Sequence, residues 1–288
     1  MKNNLKIQSY SLPDIKYGHL KPHEDSYQIW GNIFCLADGI TRDPLCPIDF
    51  GDLTMTELLK NYPNPSPAKM AADCFCKSVT GSLKDRTTDI DLIKQSIVTA
   101  NKKIQELNRK YNPNPDYLVN DFYACVALAG VINDNKLSWA SIGDCQVMIL
   151  DKIGKIKFVS TNGLENFLNY IGSHKDRWSD PERRKEIRSQ YRNNPNEIID
   201  GKTVSYGALT GEEVAETFIM TGAEELEIGD LAVFYTDGFA ESLKQPSFNN
   251  VLVLGSEEDL LNLDQKMAQN NYEKYGKERT IIAVKFTT

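Results

Sequence analysis

With three histidines in 288 residues and no Cys-x-x-Cys pair, this chain lacks the usual donor sets of a structural zinc site. Its six cysteines lie mostly inside apolar stretches and read as reduced structural thiols. Basic residues are not in excess: 33 Lys and Arg against 40 Asp and Glu give a net charge of -7, which argues against a nucleic-acid surface held by phosphate neutralisation. Long hydrophobic runs are missing too. ACVALAGVI at 124–132 is too short to span a bilayer, and MKNNLKIQSYSLPD has no apolar core of signal-peptide length. A cytoplasmic monomer without a membrane or nucleic-acid partner is the expectation. Internal repeats and low-complexity linkers are likewise absent, so residues 1–288 read as a single domain, and 41% hydrophobic content suffices for one large core.

What is present is patterned apolar sequence. YQIWGNIFCL at 27–36 turns at Gly31-Asn32 and predicts a hairpin. Ser66-Pro67, a capping residue followed by proline, opens a helix predicted to close on Gly81. A second helix is predicted from Asp89 to Lys110, where Ile93, Ile97, Ala100, Ile104 and Leu107 share one face. Four strand-like runs follow, FYACVALAGVI, KLSWASI, QVMILD and KIKFVS, and the turn residues between them predict one antiparallel meander. Residues 173–200 are highly charged, with DPERRKEIRSQY reading as a solvated helix. Strands near 214–220 and 231–236, a helix near 256–270 and a closing strand TIIAVKF complete the chain. Grouped helices and runs of strands favour a layered α+β domain with antiparallel sheets over a parallel βαβ fold.

Several of these strands begin or end on acids. IFCLADG stops at Asp38-Gly39 and LAVFYTDG at Asp237-Gly238, Glu24-Asp25 precede the hairpin, Asp121 opens the meander and Asp144 sits in one of its turns. Taken singly, each is a turn residue, since Asp-Gly is common in turns. Converging carboxylates would instead repel one another unless cations lay between them, and hard oxygen donors select magnesium or manganese.

The ordered set HEDSYQIWGNIFCLADGI, DFYACVALAGV, KLSWASIGDCQVMIL, GDLAVFYTDGF and ERTIIAVKF resembles the successive motifs of the type 2C metal-dependent protein serine/threonine phosphatases, in their bacterial branch, from about residue 18 to 286. The resemblance implies an α+β fold in four layers, α-β-β-α, with two central antiparallel β-sheets flanked by helices. It implies hydrolysis of phosphoserine or phosphothreonine in a phosphoprotein substrate by a water activated between two Mn2+ or Mg2+ ions. Asp38 would bridge both ions with the Gly39 carbonyl as a further ligand, Asp237 would hold one, and Glu24 and Asp25 would act mostly through waters. Glu278 stands where the family has its last aspartate ligand. Lys21 is the nearest cation to the family's phosphate-gripping arginine. Asp121 matches an aspartate that helps bind a third, weaker ion, or else is a turn residue opening its strand.

The chain also departs from that pattern. Arg279 replaces a neutral amide, which implies a guanidinium beside the metal that weakens cation binding or helps hold phosphate. Ile40 occupies the place of a proposed general acid in eukaryotic members. These departures keep open a second class of function, a catalytically impaired member that binds a phosphoprotein or a regulatory partner. The family often forms a mobile flap over its site between the meander and the second Asp-Gly strand, so residues 173–200 are either such a flap or a plain solvated helix.

Overall fold

In the computed structural model, which describes residues 4–41, 55–60, 62–86, 88–114, 116–118, 122–172 and 181–287, two five-stranded antiparallel sheets lie face to face. One runs in the order β1 (Asn4–Leu12), β12 (Arg279–Thr287), β11 (Leu231–Tyr235), β6 (Gln146–Leu150), β7 (Ile156–Val159). The other runs β10 (Met220–Glu225), β5 (Lys136–Ile142), β4 (Cys125–Asn133), β3 (Ile33–Gly39), β2 (Ser26–Trp30), and β8 (Ile198–Ile199) with β9 (Lys202–Thr203) forms a separate ribbon. The helices are α1 (Met55–Lys60), α2 (Pro67–Leu83), α3 (Ile90–Tyr111), α4 (Glu165–Ile171), α5 (Pro181–Tyr191), α6 (Ala240–Leu243), α7 (Pro246–Leu254), α8 (Glu257–Asn270) and α9 (Tyr272–Tyr275). None of these is long and apolar enough to cross a membrane.

Period-two alternation along the strands builds three cores. Phe34 and Leu36 of β3 meet Ala232 and Phe234 of β11 and Ile282 and Val284 of β12 between the sheets. The alternate residues of β3, Ile33, Cys35 and Ala37, face α2 and α3, while Leu231, Val233 and Tyr235 of β11 face the layer of α6, α7 and α8. Strands covered on both faces need apolar residues at every position, which is why IFCLA and LAVFY are continuous runs. The outcome is the four-layer α+β sandwich that the motifs imply.

Four expectations need correction. The supposed meander is split: β4 and β5 belong to one sheet and β6 and β7 to the other, so the chain changes sheet at Gly143-Asp144, where Gly143 has φ +84°. Helix α2 continues through Gly81 to Leu83 and is ended by Asp85 at φ +58°. The region near 214 is a 3-10 turn, Glu213–Phe218, and the strand begins only at Met220. Helix α5 is more than a solvated element, because Ile187 and Tyr191 bury against Phe167, Ile171, Val204 and Tyr206 in a small satellite core. The rest of the charged segment, 173–180, lies outside the described residues.

The inter-sheet core turns on Phe234, which is fully buried and packs on Phe34 at 5.4 Å between ring centroids. Gly130 makes room for it, since a Cβ there would lie 2.4 Å from the Phe234 ring. Replacing Phe234 by Ala should destabilise the protein by about 3–5 kcal/mol in urea unfolding. A loss under about 1 kcal/mol would mean that the sheets do not close on this ring.

Candidate metal centre

The acids gather because the strands that carry them end on one side of the sandwich. Asp38 closes β3, Asp237 follows β11, Glu278 precedes β12, Glu24-Asp25 precede β2, and the sheet change delivers Asp144. The glycines of the two Asp-Gly pairs serve close approach. A Cβ on Gly39 would lie 2.6 Å from the Ala68 carbonyl of α2, and one on Gly238 would lie 2.1 Å from the Glu278 carbonyl. Both strand ends can therefore press against their neighbours only as glycine.

Hydrogen bonds hold this arrangement in register. Glu278 Oε1 accepts from the backbone N–H groups of both Glu24 and Asp25, each at 2.7 Å, and so docks the β2 entry onto the start of β12. Thr236 Oγ1 donates to Asp25 Oδ2 at 2.9 Å and accepts from the Thr280 N–H at 2.9 Å, tying Asp25 to β11 and β12 together. Glu24 is placed differently. Its Oε1 accepts from Tyr62 at 2.7 Å and Ser66 at 2.6 Å, and its Oε2 from Thr41 and Lys21, both at 2.5 Å. Four donors thus occupy a fully buried carboxylate. Its geometry is that of a brace between the β2 entry and the start of α2, whose first turn is capped by the same Ser66.

The charge density here is high: Asp25 is buried, Asp38 and Asp144 are partly exposed and Asp237 is exposed. Burial first, and then repulsion from Asp25, Asp237, Asp144 and Glu278, push the Asp38 carboxyl well above its ordinary value. Burial and Glu278 raise Asp25 to about 7, and burial and Asp237 raise Asp144 to about 7. Asp237 is raised by burial as well, against an opposing hydrogen bond with Asp38. Burial would lift Glu278 too, but the adjacent His23 imidazole and Lys21 ammonium outweigh it and leave that carboxyl below its usual range. Oxygen donors this close, desolvated and mutually repelling, fit hard divalent cations, and Asp25, Glu278 and His23 also offer donor atoms within 4.8 Å of one another.

A cleft of about 280 Å³ opens beside Asp38, Gly39 and Asp144. Its lining also includes Arg188 and Arg192, from α5 and the residue after it, neither of them singled out above as a site residue. Both are nearly buried. Arg188 donates to the Leu118 carbonyl at 2.7 Å, and Arg192 donates to the Tyr117 carbonyl and lies 4.9 Å from the Phe122 ring centroid. Their i, i+4 spacing, which puts both side chains on one helical face, was the available signal. Lys21 lies near Asp38 but is engaged, donating to Thr41 at 2.9 Å and paired with Glu24. Arg279 corrects an expectation: strand alternation turns it away from Glu278 into the helix layer, where its Nε donates to Asp264 Oδ1 at 3.0 Å, its Nη2 pairs with the other oxygen and its Nη1 donates to the Lys277 carbonyl. Its guanidinium is thus occupied by Asp264 and the Lys277 carbonyl, in place of the expected position beside the acids. Asp121 lies outside the described residues.

No protein-family model and no curated protein matches this chain. Solved structures do. A serine/threonine phosphatase of Mycobacterium tuberculosis, PstP, matches with TM-score 0.63 at 15% identity over 99% of both chains. A structure of the PstP catalytic domain in complex with two manganese ions matches with the same figures, TM-score 0.63 and 15% identity over 99% of both chains. RsbX in complex with magnesium matches with TM-score 0.54 at 12% identity over 100% of this chain and 97% of its own. The chain has the fold of the type 2C serine/threonine phosphatases, in agreement with the order of its motifs.

The acids give the metal-free protein a defined pH dependence. Asp25 and Asp144 titrate near 7 when folded and near the ordinary 3.8 when unfolded, so the folded state holds protons that the unfolded state has lost. Stability should therefore be fully present below about pH 4 and decline until about pH 7, as far as these two groups are concerned. Thermal melts in chelator should show Tm falling over that range, with added Mn2+ raising Tm more at pH 8 than at pH 5. A Tm that rises from pH 5 to 8 without metal would contradict the upward shift of these two carboxyls.

Proposed function

We propose that this protein hydrolyses phosphoserine or phosphothreonine esters in phosphoproteins, using two divalent cations, Mn2+ or Mg2+, held by Asp38 and Asp237 with Asp25, Glu278 and the Gly39 carbonyl. The observation that carries this reading is the convergence of four aspartates from separate strand ends, Asp25 buried and Asp38, Asp144 and Asp237 still reachable by solvent, at a cleft that Arg188 and Arg192 also line. Bound there, the ions would supply Lewis acidity, a water acidic enough to ionise near neutral pH, and countercharge for the phosphate. The chain's own residues do the rest. Asp38 and Asp237 fix the oxygen donors at two strand ends, Thr236 orients Asp25, and Arg188 and Arg192 present a guanidinium face of the kind that grips phosphate bidentately. Lys21, joined to Glu24, adds positive potential near Asp38 without a bidentate fork. Asp121 would serve a third, weaker ion. Cytoplasmic location and a monomeric state belong to this reading too, on composition alone.

The rival reading, a catalytically impaired module that binds phosphoproteins, separates cleanly by turnover. Hydrolysis of para-nitrophenyl phosphate and of a phosphothreonine peptide should vanish in chelator and return with manganese or magnesium. Asp38→Asn should lower kcat roughly hundredfold or more, about 2.7 kcal/mol of barrier, with a native circular-dichroism spectrum. Full turnover in metal-free buffer, or near-normal kcat for Asp38→Asn at saturating metal, would overturn the assignment. Arg188→Ala should raise KM for the phosphopeptide about tenfold while changing kcat less, as expected of a group that binds ground state and transition state alike. An unchanged KM would return Arg188 to a purely structural part beneath Leu118.

A further inference from the structure

His23 is the one histidine among the described residues that stands among the acids: its Nδ1 lies 3.1 Å from Glu278 Oε1, and together with Asp25 these side chains form a single donor cluster. Its ring is oriented from behind. Nε2 is 2.8 Å from Ser11 Oγ, and Ser11 Oγ is 2.8 Å from Thr280 Oγ1 across a β1–β12 pair in which Ser11 faces Thr280. Thr280 in turn hydrogen-bonds Asp25. Ligating histidines are held in this manner, one nitrogen bonded to an outer partner and the other aimed at the cation.

The inward nitrogen is the informative atom. Nδ1 is buried and makes no well-formed hydrogen bond among the described residues, its 3.1 Å approach to Glu278 Oε1 being an ion-pair contact. Glu278 Oε1 already accepts the two backbone N–H groups of Glu24 and Asp25. With Ser11 on Nε2, the ring therefore presents a second nitrogen toward a pair of carboxylates without completing a hydrogen bond to either. A cation shared by Nδ1, Asp25 and Glu278 satisfies all three.

We propose that His23 is a nitrogen ligand to the divalent ion held by Asp25 and Glu278, so that this site takes first-row transition ions in preference to magnesium. The inference rests on the metal-dependent reading above and adds a donor to it. Magnesium favours an all-oxygen shell, whereas imidazole favours the transition ions. A mixed nitrogen and oxygen set thus discriminates where an all-aspartate set would not.

The test loads the full chain with Mn2+ after labelling only its histidines with 15N, and records pulsed electron paramagnetic resonance. A manganese–15N coupling should be present in the wild type and lost in His23→Gln. Titration calorimetry should show the ratio of Mn2+ to Mg2+ affinity falling about tenfold in His23→Gln, within the range typical when a ligand's support is removed. Ser11→Ala, which leaves the imidazole in place but frees it from behind, should shift the ratio in the same direction by less. If His23→Gln does not fold, the wild-type coupling and the Ser11→Ala ratio still decide the matter. Bound manganese with no histidine coupling, or an affinity ratio that neither variant moves, would overturn the role of His23 while leaving the metal-dependent reading intact. Failure of the wild type to bind manganese at all would overturn both.

Discussion

Repulsion between carboxylates crowded at one end of a β-sandwich is the constraint on which the rest of this structure depends. Packing raises the carboxyls of Asp25, Asp38, Asp144 and Asp237 alike, and Asp25, Asp144 and Asp237 each raise the cost of ionising Asp38. A fold that brings such groups together without cations gives up stability, as buried like charges do. The surrounding structure is arranged to hold them there regardless. Gly39 and Gly238 let the strand ends close on α2 and on β12, Glu278 clamps the β2 entry through two backbone N–H groups, and Thr236 fixes Asp25. Glu24, satisfied by four donors, braces the same entry from the other side.

Much of the fold was legible because its strands obey simple patterns. Runs buried on both faces, such as IFCLA and LAVFY, stand out as continuous apolar sequence, and Ser66-Pro67 and Asp89 mark helix starts that the backbone respects. The split of the meander was not legible. Strand runs and turn residues look the same whether the chain returns to its own sheet or crosses to the facing one, and only pairing partners decide between them. The N-terminal strand β1 escaped for a related reason: its exposure follows no clean period of two, and it is held by β12 alone, nearly the full sequence away.

The site was legible as a set of acids at strand ends, and opaque in what surrounds them. Arg279 is next to a candidate ligand in sequence and opposite to it in space, since neighbouring residues along a strand point to opposite faces. Its guanidinium answers a buried Asp264 from α8, a partner 15 residues away that no local spacing reveals. Arg188 and Arg192 sit in a stretch whose dense charge reads as solvated, yet both are buried, bonded to the Leu118 and Tyr117 carbonyls, and line the cleft. His23 and Ser11 gain meaning only from the pairing of β1 with β12.

All of this comes down to whether cations occupy the space between Asp38 and Asp237. Anomalous diffraction from manganese-soaked crystals addresses it directly. Two strong peaks should appear within coordination distance of the Asp38 carboxylate, one of them shared with Asp237. Peaks only away from these acids, or none at saturating manganese, would show that they are not a metal centre.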